Sequence, residues 1–162
     1  MKKIIILICC ISLSSCFFNW QERGDEPLYS RFEPVTLTVA ELENSIEILD
    51  KKEITEASKI YIINDYIFIN DKRTGFHIFD NTDTSNPIKK KFLKAPGATD
   101  IAIRNNVLYI NQATDLVALT FNFNTLKVAV NKRVKNVFPE LISPDGEYYV
   151  EDGKVVVNWI QN

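Results

Sequence analysis

The chain has 162 residues, of which 46% are hydrophobic and 25% are charged. This length is sufficient for one domain of ordinary size with its own core. Its 19 basic and 21 acidic residues give a formal net charge of −2. That balance excludes the strongly basic character typical of proteins that bind nucleic acid or anionic lipid.

The first 15 residues are typical of a targeting segment. Two lysines are followed by a short apolar run, and residues 13–16, with the sequence LSSC, resemble a lipobox, the cleavage site of bacterial lipoprotein signal peptides. The apolar run is too short to span a bilayer. We therefore predict a signal peptide over residues 1–15 and a mature chain that begins at a lipidated Cys16, with diacylglycerol on its thiol and an acylated amino group.

Cleavage at this site also decides the state of the cysteines. Cys9 and Cys10 leave with the signal peptide and Cys16 carries lipid, so we expect no disulfide. A secreted protein cut elsewhere is the alternative, and it would keep Cys16 as a free thiol in an oxidising compartment. The localisation predicted is the bacterial cell envelope, at the outer membrane, through the Cys16 lipid.

Residues 16–34 are predicted to form a tether between the lipid and the domain. Polar residues and the prolines Pro27 and Pro34 favour a solvated, extended chain there. The aromatic side chains in this stretch, such as Trp20, could instead dock part of it onto the domain. The domain itself is predicted over residues 35–162.

A short N-terminal helix is predicted at the start of this domain. Residues 38–41, with the sequence TVAE, fit a capping box. Leu42, Ile46 and Leu49 would then share one face of the helix. We expect that face to cover an open sheet, and binding of a partner is the alternative.

Residues 58–121 contain two copies of one β-unit, at an offset of about 41 residues. Each copy has an apolar run, a two-residue turn that allows positive φ, and a second apolar run, which predicts a β-hairpin. A period near 40 is typical of a propeller blade. The matching pairs are Ile60 with Ile101, Ile62 with Ile103, Asn64 with Asn105, Ile69 with Ile110, Asn70 with Asn111 and, after one deletion, Phe76 with Leu116 and Phe79 with Leu119.

Each unit continues with two more predicted strands. The third strands cover residues 76–80 and 116–121, and the fourth strands cover residues 88–93 and 126–134. Four short strands per unit predict one antiparallel sheet in each. Because strands such as residues 60–63 are apolar on both faces, we expect both sides of the sheet to be covered, as neighbouring blades cover a blade.

The sequence YIFINDKRTGFHIFDNTDTSNP, followed by PGATDIAIRNNVLYI, resembles the LVIVD-type repeat of bacterial β-propeller lipoproteins. The resemblance covers roughly residues 58–139 and implies a propeller-like fold and an envelope location, but no catalytic mechanism. The second unit departs from the pattern, because Thr120 and residues 122–125 replace the aspartate and the Asn-Pro turn. The matching positions are Gly75, Ile78, Asp80, Asp83, Ser85, Asn86, Pro87, Gly97 and Asp100.

A C-terminal hairpin is predicted around the turn Asp152-Gly153, between residues 147–151 and 154–160. The predicted fold class is therefore mainly β, with two antiparallel β-propeller-like units, a short N-terminal helix and this hairpin. Two blades cannot close a ring. Either the helix and hairpin cap the open faces, or identical chains pack together, or the chain is a shortened relative of a larger propeller.

Few residues suit catalysis. His77 is the only histidine and lies on a predicted strand, which favours a structural role and excludes sites built from several imidazoles. Asp80, Asn81 and Asp83 could offer oxygen ligands to Ca²⁺, although Asx-turns explain them better. With no free thiol and no glycine-rich phosphate loop, we predict no catalytic residue, no metal site and no cofactor.

Two surface features have both a structural and a functional interpretation. Lys89-Lys90-Lys91 and Lys94 form a basic patch on a predicted outer strand, where charge discourages aggregation between sheet edges. Contact with an acidic glycan is the alternative. The aromatic residues outside the repeat are expected to cover the core or to stack on sugars; they are Tyr29, Phe32, Tyr148, Tyr149 and Trp159.

The function predicted is a lipid-anchored binding or scaffold module that presents loops to a protein or glycan. Its partners would be the membrane, through the Cys16 lipid, and the protein or glycan ligand. The chain would also self-associate, and it would not bind nucleic acid. One alternative is a hydrolase that uses paired carboxylates. Another is a shortened propeller relative that works only as an oligomer.

Overall fold

The computed structural model of the protein describes residues 31–146 and 150–162. Within these ranges, antiparallel strands form three sheets, and one short helix, α1 (Val39–Glu43), follows the first strand. The strands are β1 (Phe32–Thr38), β2 (Glu47–Asp50), β3 (Ala57–Ile63), β4 (Tyr66–Asp71), β5 (Gly75–Asp80), β6 (Ile88–Lys94), β7 (Ala98–Arg104), β8 (Val107–Gln112), β9 (Asp115–Asn122), β10 (Lys127–Val134) and β11 (Lys154–Gln161). The predicted signal peptide, Cys16 and most of the predicted tether lie outside the described residues.

The repeat in the sequence builds two meanders of four strands each. Strands β3 to β6 pair in chain order to form the first meander, and strands β7 to β10 form the second. The irregularity between Ala57 and Ile60 in β3 recurs between Ala98 and Ile101 in β7. The strand positions predicted from the repeat, and the antiparallel pairing within each unit, are therefore confirmed.

Asparagine explains why the chain turns where it does. Asn64, Asn105 and Asn106 have φ values of 52°, 51° and 60° in the turns between the first two strands of each meander. This left-handed conformation costs most L-residues energy, but asparagine tolerates it, because its short amide side chain can bond locally. These turns set the register of both hairpins.

An apolar core joins the two sheets. The rings of Phe68 and Phe121 meet edge to face across it, with centroids 5.6 Å apart, and each large buried side chain contributes roughly 1.5–3 kcal/mol. At the edge where β3 lies near β7, the Asp100 carboxylate accepts hydrogen bonds from Lys59 and Tyr61. The fully buried residues of this core include Phe68, Phe76, Ile78 and Leu93 from the first meander and Leu108, Ile110, Val117 and Leu119 from the second.

The predicted C-terminal hairpin is confirmed at its turn and second strand, while its first strand lies mostly outside the described residues. Gly153 does turn the chain, with φ of +79°, and β11 begins where a strand was predicted. However, β11 pairs antiparallel with β1, from Phe32 opposite Gln161 to Thr38 opposite Lys154. Phe32 to Pro34, which the sequence assigned to the tether, therefore belong to this sheet, while residues 147–149 lie outside the described residues.

Helix α1 is shorter than predicted. Its capping box is present, since the Glu41 amide donates to the Thr38 hydroxyl at 3.2 Å and the Thr38 amide donates to the Glu41 carboxylate at 2.8 Å. Leu42 is buried as expected. The continuation through Ile46 and Leu49 is wrong, because β2 forms there and pairs along β6, which satisfies its backbone groups in a sheet instead.

The prediction that the lysine-rich strand is an outer strand is also wrong. Strand β2 lies outside β6 and supplies carboxylates for its lysines, with Lys91 2.7 Å from Asp50 and Lys94 2.7 Å from Glu47. Lys90 is 3.4 Å from Asp80. These lysines therefore neutralise neighbouring acids of the same sheet, and they do not lie on an edge strand where they would prevent pairing with another sheet.

Gly75 lies where the backbone of β5 approaches that of β6 closely. It has φ of +147°, and a Cβ there would lie 2.1 Å from the carbonyl oxygen of Leu93. We expect Gly75→Ala to lower the free energy of unfolding by about 3 kcal/mol or more, because it combines backbone strain with a clash against backbone. Urea unfolding of the full-length protein measures this loss.

Gly153→Ala is the matched control. Gly153 also has positive φ, +79°, but nothing lies within 4 Å of a Cβ there, so its cost should stay near the roughly 1–2 kcal/mol of left-handed backbone strain. Equal losses in the two variants would contradict the close approach at Gly75.

Candidate functional site

A cleft of about 590 Å³ lies at one end of the two meanders. We call it the turn cleft, because the turns of β3–β4, β7–β8 and β9–β10 all reach this end. Strand pairing places the β7–β8 and β9–β10 turns at one end of the second meander, since antiparallel meanders return the chain to the same end every second strand. Packing of the two sheets brings the β3–β4 turn of the first meander beside them. The lining residues are Asn64, Asp65, Tyr66, Thr82, Asn106, Thr120, Phe121, Asn122, Phe123 and Asn124.

The rim of the turn cleft is rich in amide groups for a local structural reason. Asn64 and Asn106 occupy left-handed positions of the hairpin turns. The Asn122 side chain accepts hydrogen bonds from the backbone amides of Asn124 and Thr125, both at 3.0 Å, which is an Asx-turn. The residues that shape the backbone thus also place polar groups around the cleft.

Aromatic rings form the apolar wall of the turn cleft. The Tyr66 and Phe123 rings are 5.3 Å apart, and Phe123 also meets Phe121 edge to face at 4.9 Å. The Tyr66 hydroxyl donates to the Phe123 carbonyl oxygen at 2.8 Å. These contacts hold Tyr66 and Phe123, both half-buried, in fixed positions before any ligand arrives.

This combination suits a polar, uncharged ligand with an apolar side. Amides and hydroxyls can donate and accept hydrogen bonds to fix orientation, while an aromatic ring offers a flat apolar surface. Asp65 is the one acidic side chain among the lining residues. The two turns that contain Asn64 and Asn106 were predicted from the sequence, but Tyr66 and Phe123 were not singled out. The available signal was an aromatic residue directly after the first turn and another within the β9–β10 turn.

A second polar cluster lies on the face of the first sheet that points away from the core shared by the two sheets. The prediction that His77 lies within a strand is confirmed, and its side chain is completely buried. Its Nε2 is 3.2 Å from the Asp71 carboxylate, which also lies 3.2 Å from the Lys52 ammonium and accepts a hydrogen bond of 2.8 Å from the Thr55 hydroxyl. Lys52 lies over the Phe92 ring, 4.2 Å from its centroid.

The buried cluster is arranged so that Asp71 is ionised and His77 is neutral. Burial raises the pKa of Asp71, but hydrogen bonds from the Glu56 amide, Thr55, His77 and Lys52 outweigh it and hold that pKa well below its usual range. Burial lowers the pKa of His77, and the opposing attraction of Asp71 does not restore it. The His77 Nδ1 is buried without a hydrogen-bond partner. With both side chains fully covered, the cluster fastens residues 52–56 onto the sheet.

The acidic loop after β5 forms turns, as the preferred interpretation of the sequence predicted. The Asp80 carboxylate accepts from the Thr82 amide, and the Asp83 carboxylate accepts from the Ser85 amide, both at 3.0 Å. Among the described residues, no group of three or more His, Cys, Asp or Glu side chains could hold a metal ion.

The remaining sequence candidates are structural or lie outside the described residues. The Trp159 indole donates to the Leu141 carbonyl oxygen at 3.0 Å, and Phe32 belongs to β1. Tyr29, Tyr148 and Tyr149 fall outside the described ranges. The sequence singled out no pair of carboxylates for a hydrolase; the covered carboxylate Asp115 is 2.9 Å from the Arg133 guanidinium.

Comparison with known proteins adds no relative. No family model, curated protein or solved structure matches the chain. The resemblance to the LVIVD-type repeat therefore stays a prediction. Within residues 31–146 and 150–162, no helix has the length and apolar character needed to cross a bilayer.

The buried imidazole predicts a specific loss of stability in acid. Because the pKa of His77 is lowered in the folded protein, the unfolded chain takes up a proton first as the pH falls below about 6.5. The contribution of the neutral ring is thus complete above that pH and is lost on acidification. We expect the free energy of unfolding, measured in urea, to fall between about pH 7.5 and pH 5.5.

His77→Gln is the control, because it removes the only imidazole of the chain and retains an amide that can donate to Asp71. The variant should show a smaller change over the same pH interval. Asp71 does not interfere, since the contribution of a carboxylate with lowered pKa is lost only below about pH 4. An unchanged pH dependence in His77→Gln would contradict this account.

Proposed function

We propose that the protein is a lipid-anchored binding module of the bacterial envelope and that it binds a glycan in the turn cleft. The observation that carries the proposal is the cleft itself, where half-buried aromatic rings stand beside a rim of asparagine amides and threonine hydroxyls. Sugars present this same combination of hydroxyl groups and apolar ring faces, so rings and amides together can recognise them.

The rigidity of the turn cleft supports ligand binding. Tyr66 and Phe123 are held by each other and by the hydrogen bond between them, and Asn122 is held by its Asx-turn. A preformed site loses little conformational entropy when a ligand binds. The polar side chains of the cleft are neutral apart from Asp65, so a neutral glycan fits better than an acidic one.

The anchoring part of the proposal depends on the sequence. The LSSC motif at residues 13–16 supports lipidation of Cys16, and the residues up to β1 would separate the domain from the membrane. In this proposal the two meanders act as propeller-like blades, whose turns at one end carry the ligand site. That arrangement is supported by the repeat and by the face-to-face packing of the two sheets.

Glycan binding is tested with the full-length protein in detergent, using an array of neutral and acidic oligosaccharides. Asn124→Ala should weaken binding to the best neutral glycan by about fivefold, and Phe123→Ala by about tenfold, typical of a lost polar contact and a lost aromatic contact. Asn124 is exposed, so its replacement tests the site without disturbing the core.

Asn162→Ala is the matched control, because Asn162 is an exposed asparagine that does not line the turn cleft. It should leave the affinity unchanged. If no oligosaccharide on the array binds, or if binding survives both cleft substitutions, the glycan proposal is wrong.

The anchor is tested separately. We expect the intact mass of the membrane-extracted protein to correspond to a chain that starts at Cys16 with lipid attached, and Cys16→Ser to lose that mass and the membrane association. Cys10→Ser, which changes a cysteine inside the predicted signal peptide, should leave both unchanged. A Cys16→Ser protein that remains in the membrane fraction with wild-type mass would refute the anchor.

A further inference from the structure

The first meander exposes an apolar face whose counterpart in the second meander is buried. Ile60 is 64% exposed and Ile62 is 70% exposed, on the side of β3 that points away from the core. Their counterparts in the repeat are Ile101, which is 4% exposed, and Ile103, which packs against the core. The same repeat position is therefore open to solvent in the first sheet and covered in the second.

The exposed face continues onto the neighbouring strand. Ile69 lies opposite Ile60, and Ile67 lies opposite Ile62, in the pairing of β3 with β4. We call these four residues the isoleucine face. Large exposed apolar side chains that lie side by side on a regular sheet mark interaction sites more often than single exposed residues do.

The internal packing shows what kind of surface fits this face. The second meander presents Ile101 and Ile110 to the first, whose covering surface includes Tyr61 and Phe68. By the repeat, Tyr61 corresponds to Ala102, and Phe68 corresponds to Tyr109. The first meander covers the second with the face that contains Tyr61 and Phe68. In the repeat, the equivalent of that face is the outer face of the second meander, which contains Ala102 and Tyr109.

That outer face is also available. Ala102 is exposed and Tyr109 is 37% exposed, while Ala118 pairs with Tyr109 across the strands. A hollow of about 300 Å³ lies there, and its lining includes Ala102, Tyr109 and Leu116. Small side chains around a tyrosine leave space that branched isoleucine side chains can fill.

We propose that a second copy of this chain docks the outer face of its second meander onto the isoleucine face, repeating between molecules the stacking that joins the meanders within one molecule. The contact is heterologous, because each chain offers two different surfaces, so association can continue beyond a dimer until a ring closes. This inference goes beyond glycan binding and does not depend on it.

The experiment is sedimentation velocity of the full-length protein in density-matched detergent over a wide concentration range. Because a heterologous contact can continue beyond two chains, the average mass of the wild-type protein should rise with concentration and pass that of a dimer. Ile62→Lys blocks the receiving face, and Ala118→Arg blocks the donating face. Each variant alone should associate on the order of a hundredfold more weakly, because an unpaired charge enters the contact.

Mixing the two variants gives the decisive result. The Ala118→Arg chain keeps an intact isoleucine face, and the Ile62→Lys chain keeps an intact outer face. An equimolar mixture should therefore form a dimer that does not grow further. Ile142→Lys is the matched control, since Ile142 is 63% exposed and lies outside both faces, and it should associate as the wild type does.

Several outcomes would overturn the proposal. They are a wild-type protein that stays monomeric, a mixture that stays monomeric, a control that also dissociates, and Ala118→Arg chains that still associate, which would mean that the isoleucine face meets itself. If Ile62→Lys or Ala118→Arg lacks the wild-type unfolding transition, Ile60→Lys and Ala102→Arg probe the same two faces in the same mixture.

Discussion

The two meanders hold each other in place, because each covers an apolar face that the other would leave in water. Phe68 and Phe76 on one side and Leu108 and Phe121 on the other belong to one continuous apolar core. An antiparallel sheet with an apolar face must bury that face against another layer. The turn cleft exists only because this packing brings the turns of two sheets to a common end.

Local patterns in the sequence were sufficient to predict the meanders. The strands of both units follow from apolar runs bounded by asparagine turns, and the positive φ of Asn64 and Asn105 is the reason for those asparagines. Ile46 and Leu49 misled the prediction, because apolar residues three apart fit a helix, while Ile46 and Ile48 fit a strand equally well. Pairing of β2 with β6 decides between them, and no local pattern encodes it.

Long-range pairing explains the other failures. Nothing near β11 indicates that it pairs with β1, since the turn Asp152-Gly153 points only to the residues just before it. The turn cleft was beyond prediction for the same reason. Its asparagines could be recognised as turn residues, but their meeting with Tyr66 and Phe123 depends on how two sheets stack. The burial of His77 likewise depends on residues 52–56 crossing the outer face of the sheet.

The pairing of β1 with β11 also sets an order on folding. Each meander is built from segments that are neighbours in the chain. Their short connections keep the entropy cost of loop closure small. The β1–β11 sheet instead joins the two ends of the described chain, from Phe32 to Gln161. We therefore expect this sheet to form after both meanders have formed. Until β11 is available, β1 has an unpaired backbone, which leaves the nascent domain with an open strand edge that another chain could pair with.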